Sequence, residues 1–239
     1  MKKPCALCLN DRKLCRSHII PEFLYKPLYN DQRRIEVLSI LPNRKDWQEQ
    51  KGLWEYLLCE TCEQKLSVWE GYSRKVLNGG TPLKGQQEGN LIRICGIDYA
   101  SFKLFQLSLL WRASVSSLSF FERVNLGVHE EKLRVLLSNS DPGQPLQYPC
   151  VMFALKSPTG VTTDLIMQPE RLRMDGHTSY RFVFGGFLWA FVVSSHSTLK
   201  ILSEVVLSQH GSLYLMLRPP EEIRPLWSFA KRHRVMGRS

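Results

Sequence analysis

Acidic side chains are in short supply in this 239-residue chain: 22 Asp and Glu stand against 32 Lys and Arg, giving a formal charge of +10. That balance favours an anionic partner, with nucleic acid ahead of a membrane surface. Long apolar runs are also missing. The longest, Phe187 to Val193, falls far short of the ~20 residues a helix needs to cross a bilayer. No apolar run follows Met1-Lys2-Lys3-Pro4-Cys5, so a secretory signal is not expected. These absences predict a soluble, cytoplasmic protein with no membrane partner. Internal repeats, low-complexity tracts, a glycine-rich phosphate loop and a nucleophile elbow are absent too. His129, His177, His196 and His210 show no metal-binding spacing. With 44% hydrophobic and 23% charged residues, the composition is that of a globular chain.

Cysteine carries the first positive signal. Four of the seven cysteines form two Cys-x2-Cys pairs, Cys5-Ala6-Leu7-Cys8 and Cys59-Glu60-Thr61-Cys62. Each pair in a tight turn offers two thiolates to one tetrahedral ion, so Cys5, Cys8, Cys59 and Cys62 are the expected ligands of a structural zinc. A rival set replaces one of them with Cys15 or His18. Cys95 and Cys150 lie in apolar contexts and read as small core residues. A thiol-redox role lacks the βαβ context it needs.

The chain divides near Gly79-Gly80-Thr81-Pro82 into a cysteine-rich module, 1–80, and a second domain, 81–239; Leu83 to Asn90 reads as a polar joining loop. In the first module, Ser17 to Pro21 reads as a short strand or turn stopped by proline. Glu60 to Leu77 reads as a helix with Leu66, Trp69, Val76 and Leu77 at helical spacing and Gly79-Gly80 as its stop. The second domain opens with helices at Asp98–Ser119, capped by Asp98, and at His129–Leu137. Strands follow at 150–155, 163–167, 180–184, 187–193 and 213–217, with Gly185-Gly186 as a hairpin turn. A last helix is expected from Glu221 to Val235. The fold class is therefore α+β: a zinc-bound module of treble-clef type, then helices packed on an antiparallel sheet.

Taken together, the knuckle Cys5-x2-Cys8, the run Ser17-His18-Ile19-Ile20-Pro21 and the second knuckle Cys59-x2-Cys62 opening a helix resemble the HNH endonucleases, the ββα-metal nucleases. The longer run Ser17-His18-Ile19-Ile20-Pro21-Glu22-Phe23-Leu24-Tyr25 looks like an uncharacterised bacterial HNH-like group. The resemblance covers roughly residues 1 to 78. It implies that His18 is a general base activating water against a phosphodiester, in DNA rather than RNA, in a phage-defence or mobile-element setting. It also implies a catalytic Mg2+ or Mn2+.

The chain departs from that pattern in two places. Ser17 stands where the family has an acid, and the asparagine that orients the base falls near Trp54 or Glu55, of which Glu55 can bond an imidazole strongly. Glu63 takes the metal position after the second knuckle. Glu70 lies two helical turns further along the same face, with Ser67 between. Arg12, Lys13, Arg16 and Arg74 are the expected nucleic-acid contacts, alongside Lys2, Lys3 and Lys75. The alternative is a zinc module that binds nucleic acid or a protein without cutting, for which Ser17 is the main argument. The second domain would then recognise substrate or a protein partner.

Overall fold

The structure, a computed structural model, describes residues 4–26, 29, 34–37, 47–50, 53–157, 160–161, 166–174, 176–194 and 200–219. The expected helix at 221–235 lies outside them, as do Lys2, Lys3 and most of the expected strand at 163–167.

Strand β1 (Leu14–His18) pairs antiparallel with β4 (Trp54–Cys59), with a register shift between Cys15 and Arg16. Pro21 keeps β1 short, and a 3-10 turn at Glu22–Leu24 follows. Between them, in the long inter-knuckle segment, β2 (Arg34–Val37) and β3 (Trp47–Gln50) form a separate antiparallel pair. Helix α1 (Glu60–Leu77) starts directly from β4, and its span is the one the sequence predicts. Cys62, Leu66, Trp69 and Ser73 are its buried residues, spaced i, i+4, i+7, i+11 on one stripe. Glu60 and Glu63 in the first turn and Arg74 and Lys75 in the last complement the helix dipole. Asn78 N–H to Arg74 O and Gly80 N–H to Lys75 O close the C-terminus, with Gly79 at φ 77° supplying the left-handed residue.

The segment after α1 corrects the sequence reading. Residues 83–90, expected as a joining loop, contain β5 (Lys84–Glu88), which makes a hairpin with β6 (Leu91–Cys95) through Gly89 and Asn90. Helix α2 (Tyr99–Val115) is capped by Asp98, which accepts from Ser101 N–H at 2.7 Å, and is buried continuously from Phe102 to Ala113. A helix buried on all sides is a core helix, and this one carries Lys103, Gln106, Ser108 and Arg112 inside with it. Helix α3 (Val128–Ser138) turns Leu133 and Leu137 inward.

The remaining strands are β7 (Cys150–Ser157), β8 (Gly160–Val161), β9 (Met167–Met174), β10 (His177–Phe184), β11 (Phe187–Val193) and β12 (Ser212–Arg218). With β5 and β6 they form one sheet in the order β5-β6-β12-β7-β11-β10-β9, with β8 paired to β7. The sheet is mixed rather than antiparallel, because β12 returns to lie between β6 and β7 and runs parallel to β7. The β10–β11 turn at Gly185-Gly186 is as expected: Phe184 pairs with Phe187, and both glycines have positive φ. A Cβ on Gly185 would stand 2.9 Å from Leu24 Cδ2, so this turn packs on the first module.

Strand alternation gives the sheet two apolar faces. Phe182, Phe184, Trp189 and Phe191 join Phe102 and Phe105 of α2 in a cluster that also holds Cys5, Ile19, Leu58 and Leu66. The two segments divided at 79–82 thus share one core. On the opposite face, Val151, Val183, Leu188, Ala190 and Val192 pack with Leu202 and Val206.

Candidate active site and metal centre

The first knuckle is a tight turn in which Leu9 N–H bonds Cys5 O at 2.8 Å and Cys5 N–H bonds Asn10 O at 3.0 Å. Leu9 takes φ 60° to let the chain reverse. Ala6 N–H to Leu57 O ties the turn to β4, and Arg134 Nη1 and Ser138 Oγ of α3 both donate to Leu7 O. The second knuckle is the β4–α1 junction itself. Between them, the sulfurs of Cys5, Cys8, Cys59 and Cys62 all lie within 4.8 Å of one another.

The geometry fits a tetrahedral thiolate ion. A Zn–S bond of about 2.3 Å gives a sulfur–sulfur edge of about 3.8 Å, and Cys8 Sγ is 3.8 Å from Cys59 Sγ. Cys59 N–H donates to Cys5 Sγ at 3.3 Å, as suits a sulfur carrying negative charge. Burial pushes the Cys5 and Cys62 thiols up. Burial also opposes ionisation of Cys8. There, the Asn10 amide and the neighbouring thiols outweigh it and bring the thiol down to about 7. Among the described residues this is the one group of three or more His, Cys, Asp or Glu side chains with such spacing, so Cys15 and His18 stand outside it.

His18 ends β1 opposite Trp54. It lines a cleft of about 400 Å³ between the Pro21–Lys26 segment and α1, together with Glu22, Lys26, Ser67, Glu70 and Arg74. Burial holds its imidazole below the ordinary histidine value; Glu22 and Glu70 oppose this, while Arg112 and Arg16 add to it. The neutral, proton-accepting ring is therefore the dominant form near neutral pH.

The other sequence-predicted residues separate into two groups. Glu70 and Arg74 share the cleft with His18. The Glu70 carboxylate is ion-paired with Arg112, Nη1 to Oε1 at 2.7 Å, and the same nitrogen donates to His18 O at 2.6 Å. Glu63 lies deeper, with Oε1 buried and unpartnered among the described residues. Burial pushes its carboxyl up against the opposing pull of the Ser17 hydroxyl and Arg112. Glu55 is turned away from His18: it accepts from Ser117 N–H at 3.0 Å and Ser117 Oγ at 2.6 Å. Arg16 stacks 3.8 Å over the Trp54 ring, Arg12 donates to Thr61 Oγ1 at 3.2 Å, and Lys13 is exposed outside the cleft. Ser17 is fully buried and accepts from Leu58 N–H at 3.0 Å. A carboxylate in its place would be desolvated beside Glu63.

Three residues at this site escaped the sequence reading. Glu22 and Lys26 had a local signal, since both follow His18-Ile19-Ile20-Pro21 within one short turn. Arg112 stands mid-helix among apolar residues, where sequence alone reads it as packing plus a capped charge rather than as part of the site. Comparison of the chain with protein-family models, with curated proteins and with solved structures gives no match.

Proposed function

We propose that this chain is an HNH-type endonuclease that hydrolyses phosphodiester bonds in DNA, with a structural zinc on Cys5, Cys8, Cys59 and Cys62. The observation that carries the reading is the convergence of His18, Glu22, Glu70, Lys26 and Arg74 on one open cleft along α1, the helix that begins at the cysteine cluster. His18, neutral near pH 7, takes a proton from water. Lys26 and Arg74 hold the phosphate by charge, giving affinity without base readout. Glu22 and the second carboxylate oxygen of Glu70 would supply oxygen donors of the type that suits Mg2+ or Mn2+, which leaves the His18 ring to act as the base. When bound, such an ion supplies charge stabilisation at the phosphoryl oxygens. The test is nicking of supercoiled plasmid with Mg2+ or Mn2+, comparing the wild type with His18→Ala, whose zinc content and melting temperature are measured in parallel. Loss of nicking with zinc and folding intact supports the proposal; undiminished nicking rejects it.

A second reading has its own observation: Arg112 neutralises the carboxylate that a metal would use, and Ser17 replaces the family acid. On that reading the module binds nucleic acid, or a protein through its second domain, without cutting. It predicts DNA binding that weakens steeply with salt and no cleavage with any divalent ion.

A further inference from the structure

The β1–β4 ribbon turns a face to solvent that carries two aromatic rings and a cation. Tyr56 stands directly opposite Arg16 in the register, and Trp54 lies two positions before Tyr56 on the same side of β4. The register shift between Cys15 and Arg16 ends this face, and beyond it Leu57, Leu58 and Cys59 are all buried. The Arg16 guanidinium lies 3.8 Å over the Trp54 ring, and the Trp54 and Tyr56 rings meet edge to face at 5.8 Å. Tyr56 is 60% exposed, so much of its ring stays open after that contact. Arg16 is exposed too, and among the described residues it makes no hydrogen bond or ion pair. Its N–H donors are open to a ligand while Trp54 holds the guanidinium in place. Residues directly opposite one another have Cβ atoms about 5 Å apart, so this ring and this cation are within reach of one nucleotide. His18 pairs with Trp54, two residues past Arg16 and about 7 Å along the strand, so the face adjoins the cleft. Arg12 and Lys13, both exposed, continue the positive charge just before β1.

We infer that this face is a stacking platform for an unpaired nucleobase, with the base on Tyr56 and the adjoining phosphate taken by Arg16. An open ring beside an unpaired cation, in a chain of charge +10, matches a base and its phosphate together. A guanidinium fork meets two phosphate oxygens at once. Every base has a π-face, so stacking of this kind tolerates any sequence. It does require that the base be out of a duplex stack. A single strand offers such bases freely, whereas a duplex must first unpair and unstack one. The platform therefore selects single-stranded nucleic acid, or an unpaired stretch, and leads its backbone past the strand end that presents His18. The inference rests on reading the partner as nucleic acid, which both proposed functions share, and does not depend on cleavage.

The experiment is fluorescence anisotropy of the full chain, with no divalent ion added, against a labelled mixed-sequence DNA strand of about twelve nucleotides and against the same strand in a duplex. The expected result is that the single strand binds about tenfold or more tightly than the duplex. Tyr56→Ala weakens single-strand binding by about tenfold or more and leaves duplex binding within a few fold, while Tyr56→Phe keeps both. Arg16→Gln weakens single-strand binding and lowers its salt slope by about one. Melting temperatures are measured alongside. The wild-type ratio of the two affinities and the Arg16→Gln salt slope keep the test decisive should Tyr56→Ala lower stability. Equal or tighter binding of the duplex, single-strand binding indifferent to Tyr56→Ala, or no binding of either form overturns the inference. Nothing is cut in this assay, so its failure and a failure to nick plasmid are told apart.

Discussion

Arg112 Nη1 lies 2.7 Å from Glu70 Oε1, and this ion pair joins the core helix of the second segment to the cysteine-cluster helix of the first. Its two side chains differ in exposure: Arg112 is 1% exposed and Glu70 25%. The same nitrogen reaches the His18 carbonyl, so one guanidinium fixes the strand end that presents the imidazole and the carboxylate across the cleft from it. The N-terminal segment therefore does not set its own geometry; α2 sets part of it.

Removing one member of this pair leaves the other poorly compensated. Arg112→Met is expected to cost about 3 kcal/mol of unfolding free energy, the lower end for a broken buried pair because Glu70 keeps some water. Arg112→Met with Glu70→Leu restores part of the loss, since no unpaired carboxylate remains. Urea denaturation of the two single variants and the double variant gives the coupling energy. Additive losses would show that the pair is not coupled.

Zinc content separates the four clustered cysteines from the other three. One zinc per chain is expected by elemental analysis, lost in Cys5→Ser and Cys59→Ser and retained in Cys15→Ser and Cys150→Ser. Chelation lowers the melting temperature, because the ion closes a loop of more than fifty residues between the knuckles. Binding requires thiolates, and burial keeps Cys5 and Cys62 protonated in the metal-free cluster while Cys8 ionises near 7. Apparent affinity therefore falls as pH is lowered, and uptake at neutral pH releases protons measurable with an indicator dye.

What the sequence disclosed depended on whether the signal was local. The α1 stripe and the Gly185-Gly186 turn were legible because side-chain periodicity and positive-φ residues are written into adjacent positions. β5 was not: Lys84, Gly85, Gln86, Gln87 and Glu88 are all exposed, so no apolar alternation marks a strand held by its backbone pairing to β6. Strand direction left no trace either: β12 runs parallel to β7, a pairing between segments some sixty positions apart that nothing local in the sequence marks. The cysteine cluster was readable from spacing. Arg112 was not assignable to the cleft, because its partners are 42 and 94 positions away.

Lys103 offers a pH test outside the site. It is fully buried, and desolvation lowers its ammonium from an ordinary 10.5 to about 8, although Nζ donates to Tyr148 O at 2.8 Å. Between those values the unfolded chain binds more protons than the folded one, so stability rises with pH in that window and is flat below it. The full effect is roughly 3 kcal/mol. Wild type measured against Lys103→Met by urea titration at pH 7, 8, 9 and 10 should gain on the variant only above pH 8. A constant difference would mean that the ammonium is solvated.

The His18 imidazole, held low chiefly by burial, makes a kinetic prediction. A base must be unprotonated, so the midpoint of the fall in cleavage on acidification should lie below the ordinary histidine value of about 6.5. A midpoint above that value would mean an imidazole stabilised as the cation.

The last test contrasts two glutamates that sequence reasoning ranks in the wrong order. Glu55 was the expected partner of His18, yet its carboxylate is engaged with Ser117. Glu22, given no role of its own in the sequence, lines the cleft with His18, and its charge is the foremost influence holding the imidazole up. Glu22→Gln should therefore cut metal-dependent nicking by about a hundredfold, in kcat more than in KM, with little change in melting temperature. Glu55→Gln should do the reverse: a stability loss of about 1 kcal/mol from weakened bonds to Ser117, and nicking within a few fold of wild type. If Glu55→Gln silences the enzyme and Glu22→Gln does not, the reacting groups are assembled differently from the cleft described, and Glu55 must leave Ser117 to reach His18.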